Sequence, residues 1–176
     1  MMKRIVVMGV SGCGKSTIGE HLARYLSLPF IEGDHLHPQT NVNWMAQGRP
    51  LTDEMRYPWL DLVADRLRAG EGRGSDGCAD DGIVVSCSAL KRSYRDRLRN
   101  AGDVFFVHVD VSKAVLLQRM TQREHFMPVS LLDSQLATLE PLEADENGVV
   151  INGELPIDDM IKSAVASLPI EAATIG

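Results

Sequence analysis

The most informative segment of the chain reads Gly9-Val10-Ser11-Gly12-Cys13-Gly14-Lys15-Ser16, and it matches the phosphate-loop pattern G-x-x-x-x-G-K-[ST] at every position. An apolar run at Arg4–Met8 predicts a strand before it, and the spacing of apolar residues predicts a helix over Lys15–Ser27 after it. The glycines let backbone N–H groups turn toward a phosphate, and the helix N-terminus adds a positive pole. We expect Lys15 to reach the β- and γ-phosphates and Ser16 to ligate Mg²⁺. The segment therefore predicts binding of a nucleoside triphosphate.

Two other interpretations of this segment are weaker. The dinucleotide pattern G-x-G-x-x-G, started at Gly12, fails because Thr17 stands where its third glycine belongs. Cys13 lies at a helix N-terminus beside Lys15, a position that favours a lowered thiol pKa. We nevertheless expect Cys13 to be a small structural residue of the loop, without a catalytic role.

The rest of the chain alternates between short apolar runs and helical stretches. Further strands are predicted at Leu28–Glu32, Ile83–Cys87, Val104–Val109 and Val149–Ile151. Helices are predicted at 38–47, 53–69 (capped by Thr52), 91–100, 112–120, 130–139 and 157–168, and the polar segment Gly70–Gly82 predicts a surface loop. Fully apolar strands that alternate with helices indicate parallel pairing with both faces of the sheet covered. We therefore predict a three-layer α/β/α sandwich with a parallel five-stranded sheet of order 2-3-1-4-5.

Composition excludes several classes of protein. The 176 residues suffice for one domain, and 44% apolar with 24% charged residues is typical of a globular chain. The net charge of −6 argues against a nucleic-acid or anionic-membrane partner, and no apolar run approaches the ~20 residues that span a bilayer. Three cysteines without a C-x-x-C pair favour reduced thiols, so we expect a cytoplasmic location.

Charged residues after the strands indicate what could be done with the phosphate. Glu32-Gly33-Asp34 follows the second strand, and its carboxylates could hold the water shell of magnesium or accept a proton from an attacking hydroxyl. Asp110 after the fourth strand is an alternative magnesium ligand or a turn residue. Arg119 and Arg123, one helical turn apart, are consistent with a lid at about 121–128 or with an exposed helix end. The basic stretch 91–99 is either a solvated face or a site for an anionic substrate.

Seven stretches of the sequence resemble the gluconokinase family, a group of small P-loop kinases related to shikimate kinase. They are GVSGCGKST (9–17), EGDHLHP (32–38), MAQGRPLTDEMRYPWL (45–60), CSALKRSYRDRLR (87–99), RMTQREHFMP (119–128), SQLATLEPLE (134–143) and INGELPIDD (151–159). The resemblance covers nearly the whole chain in order. It implies a P-loop kinase fold in a single domain over residues 1–176, with an acceptor-binding helical segment at about 35–69.

The resemblance also implies an activity. A gluconokinase transfers the γ-phosphoryl group of ATP, with Mg²⁺, to the 6-hydroxyl of D-gluconate. The expected catalytic residues are Lys15, Asp34 and Arg123, with Asp34 orienting or deprotonating the acceptor hydroxyl. Expected ATP contacts are Arg119, on adenine, and the loop residues Gly9, Val10, Ser11, Gly12, Cys13, Gly14, Lys15, Ser16 and Thr17. Expected substrate contacts are Asp34, His37, Arg56, Lys91 and Arg95, and Arg56 suits the carboxylate because a guanidinium can bind both oxygens.

Other assignments stay open at this point. Shikimate or a nucleoside monophosphate are alternative acceptors, but shikimate kinases usually carry D-x-D after the second strand, where this chain has Glu32-Gly33-Asp34. A regulatory module that hydrolyses ATP slowly is a further alternative. Related enzymes suggest a homodimer.

Overall fold

The structure is a computed structural model that describes residues 3–70, 82–122 and 129–169. Its strands are β1 (Lys3–Met8), β2 (Phe30–Glu32), β3 (Gly82–Ser86), β4 (Val104–Asp110) and β5 (Gly148–Asn152). Its α-helices are α1 (Lys15–Leu26), α2 (Gln39–Ala46), α3 (Asp53–Ala69), α4 (Arg92–Leu98), α5 (Lys113–Thr121), α6 (Val129–Thr138) and α7 (Ile157–Ser167). Short 3-10 turns at Gly33–Leu36 and Arg99–Ala101 follow β2 and α4. The predicted elements are confirmed to within about two residues, whereas the 3-10 conformation of the turn after β2 was not predicted.

All strand pairs are parallel, and the sheet has the predicted order β2-β3-β1-β4-β5. Successive side chains of a strand point to opposite faces, so alternate residues of β1 enter different cores. Ile5 and Val7 pack in the core that includes residues of α1 and α7, whereas Val6 and Met8 pack in the core under α3 and α4. The predicted three-layer α/β/α architecture is therefore confirmed.

The register of the sheet places the functional loops side by side. Ser86 of β3 pairs with Glu32 of β2 on one side and with Val7 of β1 on the other. The carboxyl ends of these three strands therefore meet at one edge, where the phosphate loop and the turn after β2 begin. Ligands of open parallel sheets bind at such an edge. Of the predicted surface loop Gly70–Gly82, residues 71–81 lie outside the described residues.

Candidate active site

The phosphate loop forms one wall of a pocket at this edge. Gly12 and Gly14 have φ angles of 83° and 94°, in the left-handed region that glycine adopts without a Cβ clash. Gly14 is also the N-cap of α1, so the helix begins at Lys15, which is buried. The pocket is lined by Ser11, Gly12, Gly14, Lys15, Ser16, Thr17 and Asp34. The structure thus brings most of the predicted nucleotide residues together with the predicted acceptor base.

The remaining predicted residues of the loop face the protein interior. Gly9 donates its N–H to the carbonyl of Ser88 at 3.3 Å, which ties the end of β1 to the segment after β3. Val10 and Cys13 are buried in the apolar core. Burial raises the pKa of the Cys13 thiol, and this outweighs the opposing charge of Lys15. The expected lowering of that pKa is therefore wrong, because desolvation disfavours a thiolate more than the helix N-terminus and Lys15 stabilise it.

The carboxylate of Glu32 lies beside the phosphate loop. It accepts a hydrogen bond from the hydroxyl of Ser16 and another from the hydroxyl of Ser86, the latter at 2.5 Å. It also accepts the backbone N–H of Asp34, which makes Glu32 the N-cap of the following 3-10 turn. Glu32 is therefore an acid in direct contact with the predicted magnesium ligand. The sequence predicted a carboxylate near magnesium in the segment Glu32–Asp34, without choosing Glu32 for it.

A close approach between the turn that carries Asp34 and the end of β3 fixes the position of that turn. A Cβ added at Gly33 would come within 2.1 Å of the carbonyl oxygen of Ser86, so no larger residue fits there. The N–H of Gly33 bonds to the hydroxyl of Ser86 at 3.3 Å, and its carbonyl accepts the indole N–H of Trp59 at 2.8 Å. Asp34 is thereby held at the rim of the phosphate pocket by a rigid backbone.

His37, a predicted substrate contact, stands behind this turn. Its ring stacks on Trp59 with centroids 4.0 Å apart and planes 18° apart, and its Nδ1 lies 3.3 Å from the side-chain amide of Asn41. Burial lowers the pKa of His37, the charge of Asp34 acts to raise it, and Arg56 acts to lower it. Direct contact between His37 and a substrate stays a prediction.

Two predicted substrate cations meet in a polar cluster, which we call the acceptor-side cluster and define as Asp53, Arg56, Lys91 and Tyr94. Lys91 Nζ lies 3.1 and 3.2 Å from the Asp53 carboxylate oxygens, and Arg56 donates to the Tyr94 hydroxyl at 3.0 Å. Tyr94 in turn donates to Asp53. The hydrogen bond from Tyr94 and the contacts with Lys91 lower the pKa of Asp53, and the bond to Asp53 raises the pKa of Lys91. Neither Asp53 nor Tyr94 was predicted as a site residue.

Arg95 does not belong to this cluster, contrary to the prediction that it contacts substrate. Its side chain is fully buried and forms a two-pronged ion pair with Glu146, at 2.7 and 2.8 Å. It also donates to the backbone carbonyls of Ala89, Leu90, Glu140 and Pro141. Every donor of the guanidinium is directed at the protein, which leaves none for a ligand. Arg95 is a structural residue that ties α4 to the segment before β5.

The predicted lid residues are described only in part. Arg119 donates to the carbonyls of Gly12 and Cys13 at 3.4 and 3.1 Å and to that of Gly153 at 2.9 Å. It therefore joins the phosphate loop to the loop after β5, and its predicted contact with adenine stays a prediction. Arg123 and most of the predicted lid at 121–128 lie outside the described residues. Asp110 is exposed at the end of β4 and does not line the pocket, which favours the turn-residue interpretation.

The oxygen atoms around Ser16 suit a hard cation. Within residues 3–70, 82–122 and 129–169, no group of three His, Cys, Asp or Glu side chains could hold a metal by itself. Mg²⁺ in kinase sites usually takes one or two protein oxygens, several waters and the substrate phosphates. The Ser16 hydroxyl with the adjacent Glu32 carboxylate supplies that kind of incomplete ligand set.

Among the helices of the described residues, none combines the length and the apolar composition that a membrane span requires.

Comparison with known proteins was consistent with this geometry. A protein-family model described as an AAA domain matches residues 5–127. A gluconokinase of Gluconobacter oxydans is 47% identical over 171 residues, which cover 95% of this chain and 92% of that protein. A crystal structure of a gluconokinase from Sinorhizobium meliloti is 46% identical with a TM-score of 0.83, and the match covers 94% of this chain and 91% of that chain. A crystal structure of a shikimate kinase from Bacteroides thetaiotaomicron is 19% identical with a TM-score of 0.65, and the match covers 97% of this chain and 100% of that chain. At this identity the likeness shows the fold alone.

Proposed function

Because the chain belongs to the gluconokinase family, we propose that it transfers the γ-phosphoryl group of ATP to the 6-hydroxyl of D-gluconate, giving 6-phospho-D-gluconate and ADP. The observation that carries the proposal is the position of Asp34, which lines the same pocket as the phosphate loop. A carboxylate at that rim can reach an acceptor hydroxyl while the loop holds the phosphates. The enzyme is a phosphotransferase with an alcohol group as acceptor.

The phosphate side of the reaction rests on the loop and on α1. Backbone N–H groups from Gly12 to Thr17 bind the β-phosphate, and Lys15 adds its charge where negative charge develops during transfer. Ser16, with Glu32 behind it, would hold Mg²⁺, and the bound ion would neutralise negative charge on the phosphates. Arg119, and Arg123 beyond the described residues, are proposed to cover the adenine and the transferred group.

The acceptor side of the reaction needs a base and an orientation. The 6-hydroxyl oxygen forms a bond to the γ-phosphorus while the bond from that phosphorus to the β–γ bridging oxygen of ATP breaks. Asp34 accepts the hydroxyl proton, and the electron pair of the broken bond leaves with ADP. Since Gly33 and Trp59 fix the turn, Asp34 requires little reorganisation to do this.

The acceptor-side cluster provides cations for the carboxylate of gluconate. Arg56 and Lys91 both lie against Asp53, so neither cation is left unpaired in the free protein. A substrate carboxylate would share these cations with Asp53, and His37 lies on the same segment as a hydrogen-bonding group for the polyol. A single negative charge with several hydroxyls fits this set of two cations and hydrogen-bonding groups.

The test is the release of ADP with Mg²⁺ and ATP in four parallel reactions, containing D-gluconate, shikimate, AMP or no acceptor. The proposal expects fast release with D-gluconate alone, and a product that 6-phosphogluconate dehydrogenase oxidises. Fast release with shikimate or AMP would assign another acceptor. Equal slow release in all four reactions would favour the regulatory module over a kinase of small molecules.

We also propose a cytoplasmic homodimer with one domain per chain. Free, buried Cys13 and Cys87 support a reducing compartment, and burial raises the pKa of Cys87 to about 12. The dimer rests on the family resemblance. Light scattering during size-exclusion chromatography tests it, and a mass of one chain, 19.3 kDa, would contradict it.

A further inference from the structure

A side chain outside the expected nucleotide site holds the phosphate loop. Gln135 lies on α6, 124 residues along the chain from Ser11. Its side-chain carbonyl accepts the backbone N–H of Ser11 at 2.7 Å, and its side-chain N–H donates to the hydroxyl of Ser11 at 3.3 Å. One amide group thus makes two hydrogen bonds to one residue of the pocket wall.

The rest of α6 is anchored independently of this contact. Leu131 and Leu132 are buried, and Leu132 packs in the core beneath α1. Just beyond the helix, the N–H of Glu140 donates to the carbonyl of Leu90 at 2.8 Å, and the Glu140 side chain accepts the N–H of Arg92. The position of α6 is therefore fixed at both ends without Gln135. The pair of bonds to Ser11 therefore adds to contacts that already hold the helix in place.

We propose that Gln135 is a positioning residue for the nucleotide phosphates. It fixes Ser11, in the first half of the loop, while α1 fixes Gly14 and Lys15 in the second half. A neutral amide suits this place because it donates and accepts at once and adds no negative charge next to a polyphosphate. The inference rests on the proposed kinase function only in that both need the same phosphate pocket.

Three variants separate this role from a structural one. Gln135→Met keeps the size of the side chain and removes both hydrogen bonds. Gln135→Glu keeps an acceptor for the N–H of Ser11 but places a negative charge beside the phosphates. Gln118→Met is the matched control, since Gln118 is exposed on α5.

The measurements are the dissociation constant for a non-hydrolysable ATP analogue by calorimetry without acceptor, the melting temperature of the free protein, and KM for D-gluconate. For Gln135→Met we expect about tenfold weaker nucleotide binding, because Ser11 is no longer held in its binding conformation, with a melting temperature lowered by only a few degrees and an unchanged KM for the acceptor. For Gln135→Glu we expect a larger loss at low salt that shrinks as salt screens the repulsion. The control should bind as the natural protein does.

Two results would overturn the proposal. The first is nucleotide binding by Gln135→Met within twofold of the natural protein. The second is a fall in melting temperature together with equal losses for nucleotide and acceptor, because that pattern means displacement of α6 as a whole. Calorimetry needs no acceptor, so a failure of the gluconate assignment leaves this test intact.

Discussion

Replacing Arg95 by methionine tests whether this residue is structural or binds substrate. Methionine fills much of the space of arginine but removes the guanidinium, and so leaves Glu146 with a side chain that is 0% exposed and one partner fewer. Burial alone would raise the pKa of Glu146, yet hydrogen bonds from Arg95 and Arg99 outweigh it and bring the pKa to about 2. The ionised form of Glu146 thus depends on these two arginines.

The size of the effect follows from the ion pair that this substitution breaks. Breaking a buried ion pair by removing one partner costs about 3–5 kcal/mol. Arg99 keeps its contact with Glu146 at 2.6 Å, so we expect the lower end, about 3 kcal/mol. For a chain of this length that corresponds to a fall of about 6–12 °C in melting temperature.

Urea unfolding, monitored by the fluorescence of Trp44 and Trp59, measures the free energy of unfolding. KM for D-gluconate is measured on the same protein under conditions in which it is folded. The control is Arg97→Met on the same helix, whose surface pair with Asp61 contributes about 0–1 kcal/mol. We expect KM to be unchanged in both variants. Stability within about 1 kcal/mol of the natural protein, with a tenfold higher KM, would refute the reasoning and return Arg95 to the substrate site.

Four other predictions concern the site and its support. Asp34→Asn should lower kcat by about 10²–10⁴-fold with nucleotide binding retained, and a kcat near that of the natural protein would exclude a base at this position. Arg56→Met should raise KM for D-gluconate about tenfold and leave KM for ATP unchanged, whereas equal changes in both would contradict a contact with the acceptor carboxylate. Gly33→Ala should lower the free energy of unfolding in urea by about 1–3 kcal/mol or more and abolish activity, because its Cβ would meet a backbone oxygen at 2.1 Å. Normal stability would show that the turn can move away from β3. The depressed pKa of Glu146 contributes stability that is present above about pH 4.5 and is lost as the pH falls toward 2. Glu146→Gln should therefore reduce the slope of the free energy of unfolding against pH in that range. An unchanged slope would contradict the ionised pair.

Local patterns were sufficient to predict the fold and the phosphate loop. The strands are apolar on both faces, Thr52 caps α3 through the N–H of Met55 as predicted, and the loop motif stands between a strand and a helix. These signals are short-range, so they can be found by inspection of neighbouring residues. Asp34 was predicted from the same kind of evidence, because it follows directly after a strand.

Contacts between distant segments could not be predicted in this way. Arg95 and Lys91 stand four residues apart in one basic stretch, and nothing in that stretch indicates that one meets Glu146 inside the protein while the other meets Asp53 near the surface. The pKa of Cys13 depends on a core packed from many elements, so the motif alone suggested the wrong direction. Gln135 lies within a stretch that resembles the family, but its partner is 124 residues away.

The most direct test of the proposed reaction is the proton-coupled phosphorus NMR spectrum of the product made from D-gluconate, ATP and Mg²⁺. Transfer to the 6-hydroxyl predicts a new phosphate monoester signal split into a triplet by the two protons on carbon 6. A doublet would mean transfer to one of the secondary hydroxyls. The absence of any monoester signal while ADP accumulates would contradict a gluconate kinase altogether.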